Sequence, residues 1–165
     1  MPFDLTVDSV SQLTLADYTH PRLVVSRLRE RDTAGIISEL SQALQREGYL
    51  SDVLPFYHTA LNHELMANSA LACGIALPHG RINGVKQLQF AFGRAPEPVN
   101  WGAKGSLPVQ LVFLLAVPAT DAACYLHLLA SLARLAQQSD RVAELCAAQD
   151  AQSVLAVLDK IRIRK

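Results

Sequence analysis

His79 closes a stretch in which residue types and order could do chemistry: Ala72-Cys73-Gly74-Ile75-Ala76-Leu77-Pro78-His79-Gly80-Arg81. A neutral imidazole keeps one unprotonated nitrogen, so at neutral pH it can act as a nucleophile or a ligand. The apolar run Ile75 to Leu77, bounded by a glycine and a proline, predicts a short buried strand. Pro78 fixes its own φ, has no N–H to donate and biases Leu77 toward extended geometry. The strand is therefore expected to stop there and to present His79 at its end, where the chain turns. Gly80 leaves space beside the ring and permits backbone angles that other residues resist. On spacing alone, a loop histidine satisfied by a backbone carbonyl accounts for the same pattern.

Metal chemistry is the first rival. His58, His63, His79 and His127 could in principle converge, yet helical zinc pairs use i, i+4 spacing, and His58 and His63 are five apart. There is no Cys-x-x-Cys, no Walker loop and no GxGxxG, so neither a metal nor any other cofactor is predicted. Lys+Arg and Asp+Glu balance at 15 each, which argues against nucleic acid or an acidic lipid surface as a partner. Cys73, Cys124 and Cys146 are widely spaced in apolar or Ala-rich sequence and are expected to be reduced, buried thiols of a cytoplasmic protein. The start, Met1-Pro2-Phe3-Asp4, has no basic leader, and the apolar run Pro108 to Pro118 is too short to cross a bilayer, so no membrane insertion is expected.

The elements that must position His79 can be read in order. Residues 1–20 form an N-terminal arm or strand, with Ser9 to Leu15 as the candidate segment, belonging to the same domain as 21–165. Leu23 to Leu28 reads as a strand. Asp32 can cap a helix whose stripe is Ile36, Leu40 and Leu44, widened by Ile37 and ended near Gly48. Ser51 can cap a second helix carrying Val53, Leu54, Tyr57, Leu61 and Leu65, with Pro55 in its first turns. Gln87 to Phe92 alternates as a strand, and a loop with Pro96, Pro98 and Trp101 follows. Val109 to Val117 is apolar enough for a central strand covered on both faces. Three helices complete the chain: one from Asp121 with Tyr125, Leu128, Leu129, Leu132 and Leu135 as its face, then Asp140 to Ala147 and Ala151 to Ile161. The expected fold class is α/β, a single-domain sandwich with a central mixed β-sheet flanked by helices.

Gly74 to Arg81 resembles the sequence around the phosphorylated histidine of the EIIA domains of the fructose/mannitol class of the bacterial phosphotransferase system, which include the nitrogen-regulatory EIIA protein. Phe90-Ala91-Phe92-Gly93-Arg94, Val99-Asn100-Trp101, Val109 to Pro118 and His127 to Leu135 resemble later segments of that family, in the same order. The resemblance covers about residues 20 to 160. It implies an EIIA-like domain in which His79 accepts a phosphoryl group from an HPr-like phosphocarrier protein. His127 is then a neighbour that bonds the phosphate or orients the ring. The family has an Arg-Glu pair sixteen residues ahead of its phosphorylated histidine, where this chain has His63-Glu64, followed by Asn68-Ser69-Ala70. An arginine would offer a permanently charged fork, whereas histidine offers at most two donors.

Transfer between histidines needs an in-line approach, a nucleophilic nitrogen and donors for the phosphoryl oxygens. His79 supplies the nitrogen, and His127, His63 and Ser69, with Glu64 and Gly80 beside them, make up the expected phosphate-binding set. The resemblance implies a phosphohistidine carrier of a phosphoenolpyruvate-dependent system. It would be either regulatory, of the nitrogen type, or a donor to an EIIB-like partner. The competing reading is a non-catalytic EIIA-like interaction module that regulates a transporter or a sensor kinase, and His63 in place of arginine favours it. Arg81, Arg94, His58 and His20 read as surface residues.

Overall fold

Two long strands whose residues alternate set the frame. In the computed structural model, which describes residues 12–102, 107–121 and 123–164, β4 (Gln89–Trp101) and β5 (Leu107–Pro118) pair antiparallel, with Phe92 opposite Phe113. Side chains on a strand alternate between faces. Phe90, Phe92, Leu111, Phe113, Leu115 and Val117 enter one apolar core, and Ala91, Val112, Leu114 and Ala116 enter a second. Leu111 to Val117 is wholly buried, as its composition predicts for a strand covered twice.

The short strands complete a mixed sheet. β1 (Val24–Val25) runs parallel to β4, and β2 (Ile75–Ala76) and β3 (His79–Ile82) both run parallel to β5, in the order β1-β4-β5-β2 with β3 also on β5. α1 (Thr33–Arg46) and α2 (Val53–Met66) cover one face. α3 (Cys124–Ala136), α4 (Ser139–Ala147) and α5 (Ala151–Leu158) cover the other. The result is the single-domain α/β sandwich with a mixed sheet. Among the described residues, no helix is long and apolar enough to cross a membrane.

Several local expectations are corrected. Pro78 interrupts the strand without ending it: Ala76 pairs Val112 and His79 pairs Leu115, so the same register resumes after the proline. The expected strand Leu23 to Leu28 is reduced to Val24–Val25, because Pro21–Leu23 forms a 3-10 turn in which His20 Nδ1 accepts from the Arg22 N–H. Within the candidate arm, residues 1–11 lie outside the described set. Thr14 bridges Arg162, and Leu15 begins a 3-10 turn.

The loop expected around Pro96, Pro98 and Trp101 is instead the far half of β4. An irregularity in register between Arg94 and Val99 takes in both prolines, where no ladder donor is required. Arg94 is buried rather than solvated, and its Nη1 donates to the Cys146 carbonyl at the end of α4. There its charge complements the negative helix terminus. Cys73 and Cys124 are exposed and Cys146 is half-buried, so the thiols are free but not core.

Asp32 caps α1 through the Gly35 N–H, and the stripe Ile36, Ile37, Leu40 and Leu44 is buried as read. On α2, Asp52 rather than Ser51 accepts the capping bond, from Leu54. The face that packs inward is Phe56, Ala60 and Glu64, while Leu54 and Leu65 are exposed. Of the expected stripe, Val53, Tyr57 and Leu61 are partly buried against the same core, and Leu54 and Leu65 turn outward. The face was decided by a small alanine and an aromatic ring flanking a buried carboxyl.

Phe113 sits between Phe90 and Phe92, with ring centroids 5.5 and 5.1 Å away. Phe113→Ala is expected to lower unfolding free energy by about 3–5 kcal/mol, read as an earlier midpoint in urea with an unchanged slope.

Candidate functional site

The site is assembled on a chain of hydrogen bonds that starts at Glu64. This residue lies on the inward face of α2 and is fully buried. Its Oε1 accepts from the Trp101 indole N–H at 2.5 Å, from the Ser69 backbone N–H at 2.9 Å and from the Ser69 hydroxyl at 2.8 Å. The Ser69 oxygen in turn accepts from the Leu77 N–H at 2.9 Å. Leu77 is two residues ahead of His79, so one carboxyl ties α2, the end of β4 and the strand bearing the histidine. Asn68 reinforces the turn, its Oδ1 accepting from Ala70 N–H and its Nδ2 donating to the Trp101 carbonyl.

His79 opens β3 and is half-buried. Its Nδ1 is buried without a hydrogen bond among the described residues, whereas Nε2 is neither bonded nor enclosed. The His63 ring, carried on the exposed side of α2, lies against it with centroids 4.5 Å apart and planes inclined at 54°. Burial pushes the His79 imidazole below the ordinary histidine value, and the neighbouring His63 pushes it further. The Leu77 backbone and the Glu64 carboxylate pull more weakly the other way. The shift favours the neutral imidazole at pH 7.

Gly80 performs a different task from the one its backbone freedom suggests. Positive φ is found at Gly48, Gly74, Gly84 and Gly102, not at Gly80. A Cβ on Gly80 would fall 2.7 Å from the Phe56 ring, so glycine is needed for α2 to lie close against β3. Ser69 has its only hydroxyl proton committed to Glu64. What Ser69 and Glu64 give the site is position.

His127 stands half-buried in the first turn of α3. It shares no ring contact with His79 and does not shift its protonation. Register nevertheless brings the two elements together. His79 and Arg81 share a sheet face, Arg81 donates to the Ala119 carbonyl at 3.2 Å, and its guanidinium lies 5.4 Å from the Tyr125 ring of α3. Sequence reasoning missed this Arg81–Tyr125 contact, and also Trp101 as the partner of Glu64. The latter was signalled only by the single tryptophan of the chain.

Residues 17–161 match the family model for the phosphoenolpyruvate-dependent sugar phosphotransferase system, EIIA 2. Among solved structures, the nitrogen regulatory protein IIA-Ntr from Neisseria meningitidis is 32% identical over 87% of this chain and 98% of its own, with a TM-score of 0.72. A nitrogen regulatory protein of Bradyrhizobium diazoefficiens is 28% identical over 88% of this chain and 95% of its own. The 2-O-alpha-mannosyl-D-glycerate-specific EIIABC component of Escherichia coli is 32% identical over 89% of this chain, which spans only 23% of that longer protein.

Gly80→Ala is expected to cost about 1–3 kcal/mol of stability, and adding Phe56→Leu to return part of it in a double-mutant cycle followed by urea unfolding. Because the folded-state value of His79 is depressed, the unfolded chain binds its proton first as pH falls. Stability is then lost from about 6.5 down to the lowered folded value. Unfolding midpoints measured between pH 7.5 and about 5 should fall more steeply for the wild type than for His79→Ala.

Proposed function

The chain belongs to the EIIA 2 family of the phosphoenolpyruvate-dependent sugar phosphotransferase system, and from that premise we propose that it is a phosphohistidine carrier with His79 as acceptor. The observation that carries this reading is the asymmetry of the His79 ring: Nδ1 is enclosed and Nε2 is open. The Nε2 lone pair attacks the phosphorus of a phosphohistidine on an HPr-like protein. The N–P bond to the donor breaks as the bond to Nε2 forms, and the donor ring leaves with its electron pair. The proton on Nδ1 stays in place, and the nearby Leu77 carbonyl and Glu64 carboxylate favour the positive ring that results.

The remaining residues have distinct parts. His63, 4.5 Å from His79 between ring centroids, donates to the phosphoryl oxygens. His127 approaches from the first turn of α3, where Arg81 and Tyr125 tie α3 to β3. Glu64, Ser69 and Gly80 hold the acceptor in position. Leu65 and Met66 at the end of α2 and Leu126 beside His127 are exposed apolar side chains. They suit docking of the HPr-like donor and then of an EIIB-like acceptor. The nitrogen regulatory relatives support a regulatory role in which the phosphorylated state itself is the signal.

A second reading, a non-catalytic module that binds a transporter or sensor kinase, is favoured by one observation: the site offers His63 where the family offers arginine. Incubation with phosphoenolpyruvate, the general phosphotransferase enzyme and HPr, followed by intact mass, separates the two. One acid-labile phosphate, absent in His79→Ala, is expected. His63→Arg is expected to speed its appearance about tenfold by supplying a permanent charge. No phosphate under conditions that label another EIIA protein would leave the interaction module as the reading.

A further inference from the structure

A groove of about 520 Å³ lies at the other end of α3 from His127, lined by Arg134, Lys160, Arg162 and Arg164 together with the amides of Gln12 and Gln138. The chain as a whole is charge-balanced, yet among the described residues no carboxylate lines this groove. Its charge is built into the backbone pairing. The Leu15 N–H donates to the Ile161 carbonyl at 2.9 Å, the Ile163 N–H to the Leu13 carbonyl at 2.8 Å, and Thr14 bridges Arg162. An extended segment alternates its side chains. Ile161 is buried and Ile163 packs on the core, so Arg162 and Arg164 are turned outward together, and both are exposed. Arg134 faces them from the last turn of α3, its Nη2 donating to the fully buried Ser131 hydroxyl at 2.9 Å. Lys160 has only a 4.0 Å approach to Glu144, and no ion pair among the described residues engages Arg134, Arg162 or Arg164.

We infer that this groove is a second binding site, separate from His79, for a compact polyphosphate group such as pyrophosphate or the diphosphate of a nucleotide. Three guanidinium forks and an ammonium suit adjacent tetrahedral phosphates better than a single carboxylate. The volume is that of a small-ligand site. Among the described residues no aromatic side chain lines it to stack on a base, and the phosphates are the recognised part.

Isothermal titration of the full chain with sodium pyrophosphate at fixed ionic strength tests this, with orthophosphate and magnesium-free ADP as companion titrations. The expected result is saturable one-to-one binding with a Kd tighter than about 1 mM. It should weaken at least about tenfold in Arg162→Gln/Arg164→Gln, both exposed, and persist in His79→Ala. ADP should bind no more than about tenfold more tightly than pyrophosphate, and orthophosphate clearly more weakly. The inference is overturned by absence of saturable binding, by orthophosphate binding equally well, or by a double variant that folds and binds like wild type. It is also overturned if binding disappears with His79, or if ADP exceeds pyrophosphate by more than that margin.

Discussion

The buried carboxyl of Glu64 is the constraint on which the site depends. A buried acceptor without donors is costly, so the residues around it must deliver them. Trp101 and Ser69 do so for Oε1 from two separate segments, while Oε2 stays buried without a partner among the described residues, and Ser69 passes the constraint on to the Leu77 N–H. Three elements distant in sequence are thereby held at one point, two residues ahead of His79. The same demand explains why Trp101 is fully buried and why β4 runs on past its irregularity to reach Glu64.

Close approach is the second requirement. α2 can bring His63 onto the His79 ring only if its own inner face lies near β3, and the Phe56 ring against Gly80 measures how near. Leu54 and Leu65 of α2 lie outside that contact, and Leu61 packs partly buried against the same core as Phe56. Leu65 and Met66, close to His63 in the chain, and Leu126, next to His127, are exposed apolar side chains. The packing that seats α2 against β3 thus leaves Leu54, Leu65 and Met66 in solvent.

Much of the fold was legible because β5 and α1 obey their periodicities without competition. Leu111 to Val117 is a continuous apolar run, and Asp32, the Ile36–Leu44 stripe and Gly48 agree on one helix. Legibility failed where burial was polar. Glu64 reads as part of a phosphate-binding set and Arg94 as a surface charge, since nothing in the sequence says that Trp101 or the Cys146 carbonyl will meet them. Pro78 was read as a stop because its missing N–H was treated as a break in pairing. In fact β5 bonds to the Pro78 carbonyl through the Leu115 N–H and carries the register across. The ring geometry of His63 and His79 was not legible, because their contact depends on a helix–strand distance fixed by Phe56 and Gly80.

We propose that enclosure of Nδ1 leaves Nε2 of His79 as the phosphoryl acceptor. Long-range ¹H–¹⁵N spectra of the protein labelled with ¹⁵N-histidine, taken before and after phosphorylation, test it most directly. A neutral His79 protonated on Nδ1 before transfer and bearing phosphorus on Nε2 afterwards is the expected result. Phosphorus on Nδ1, or on a histidine other than His79, would contradict it.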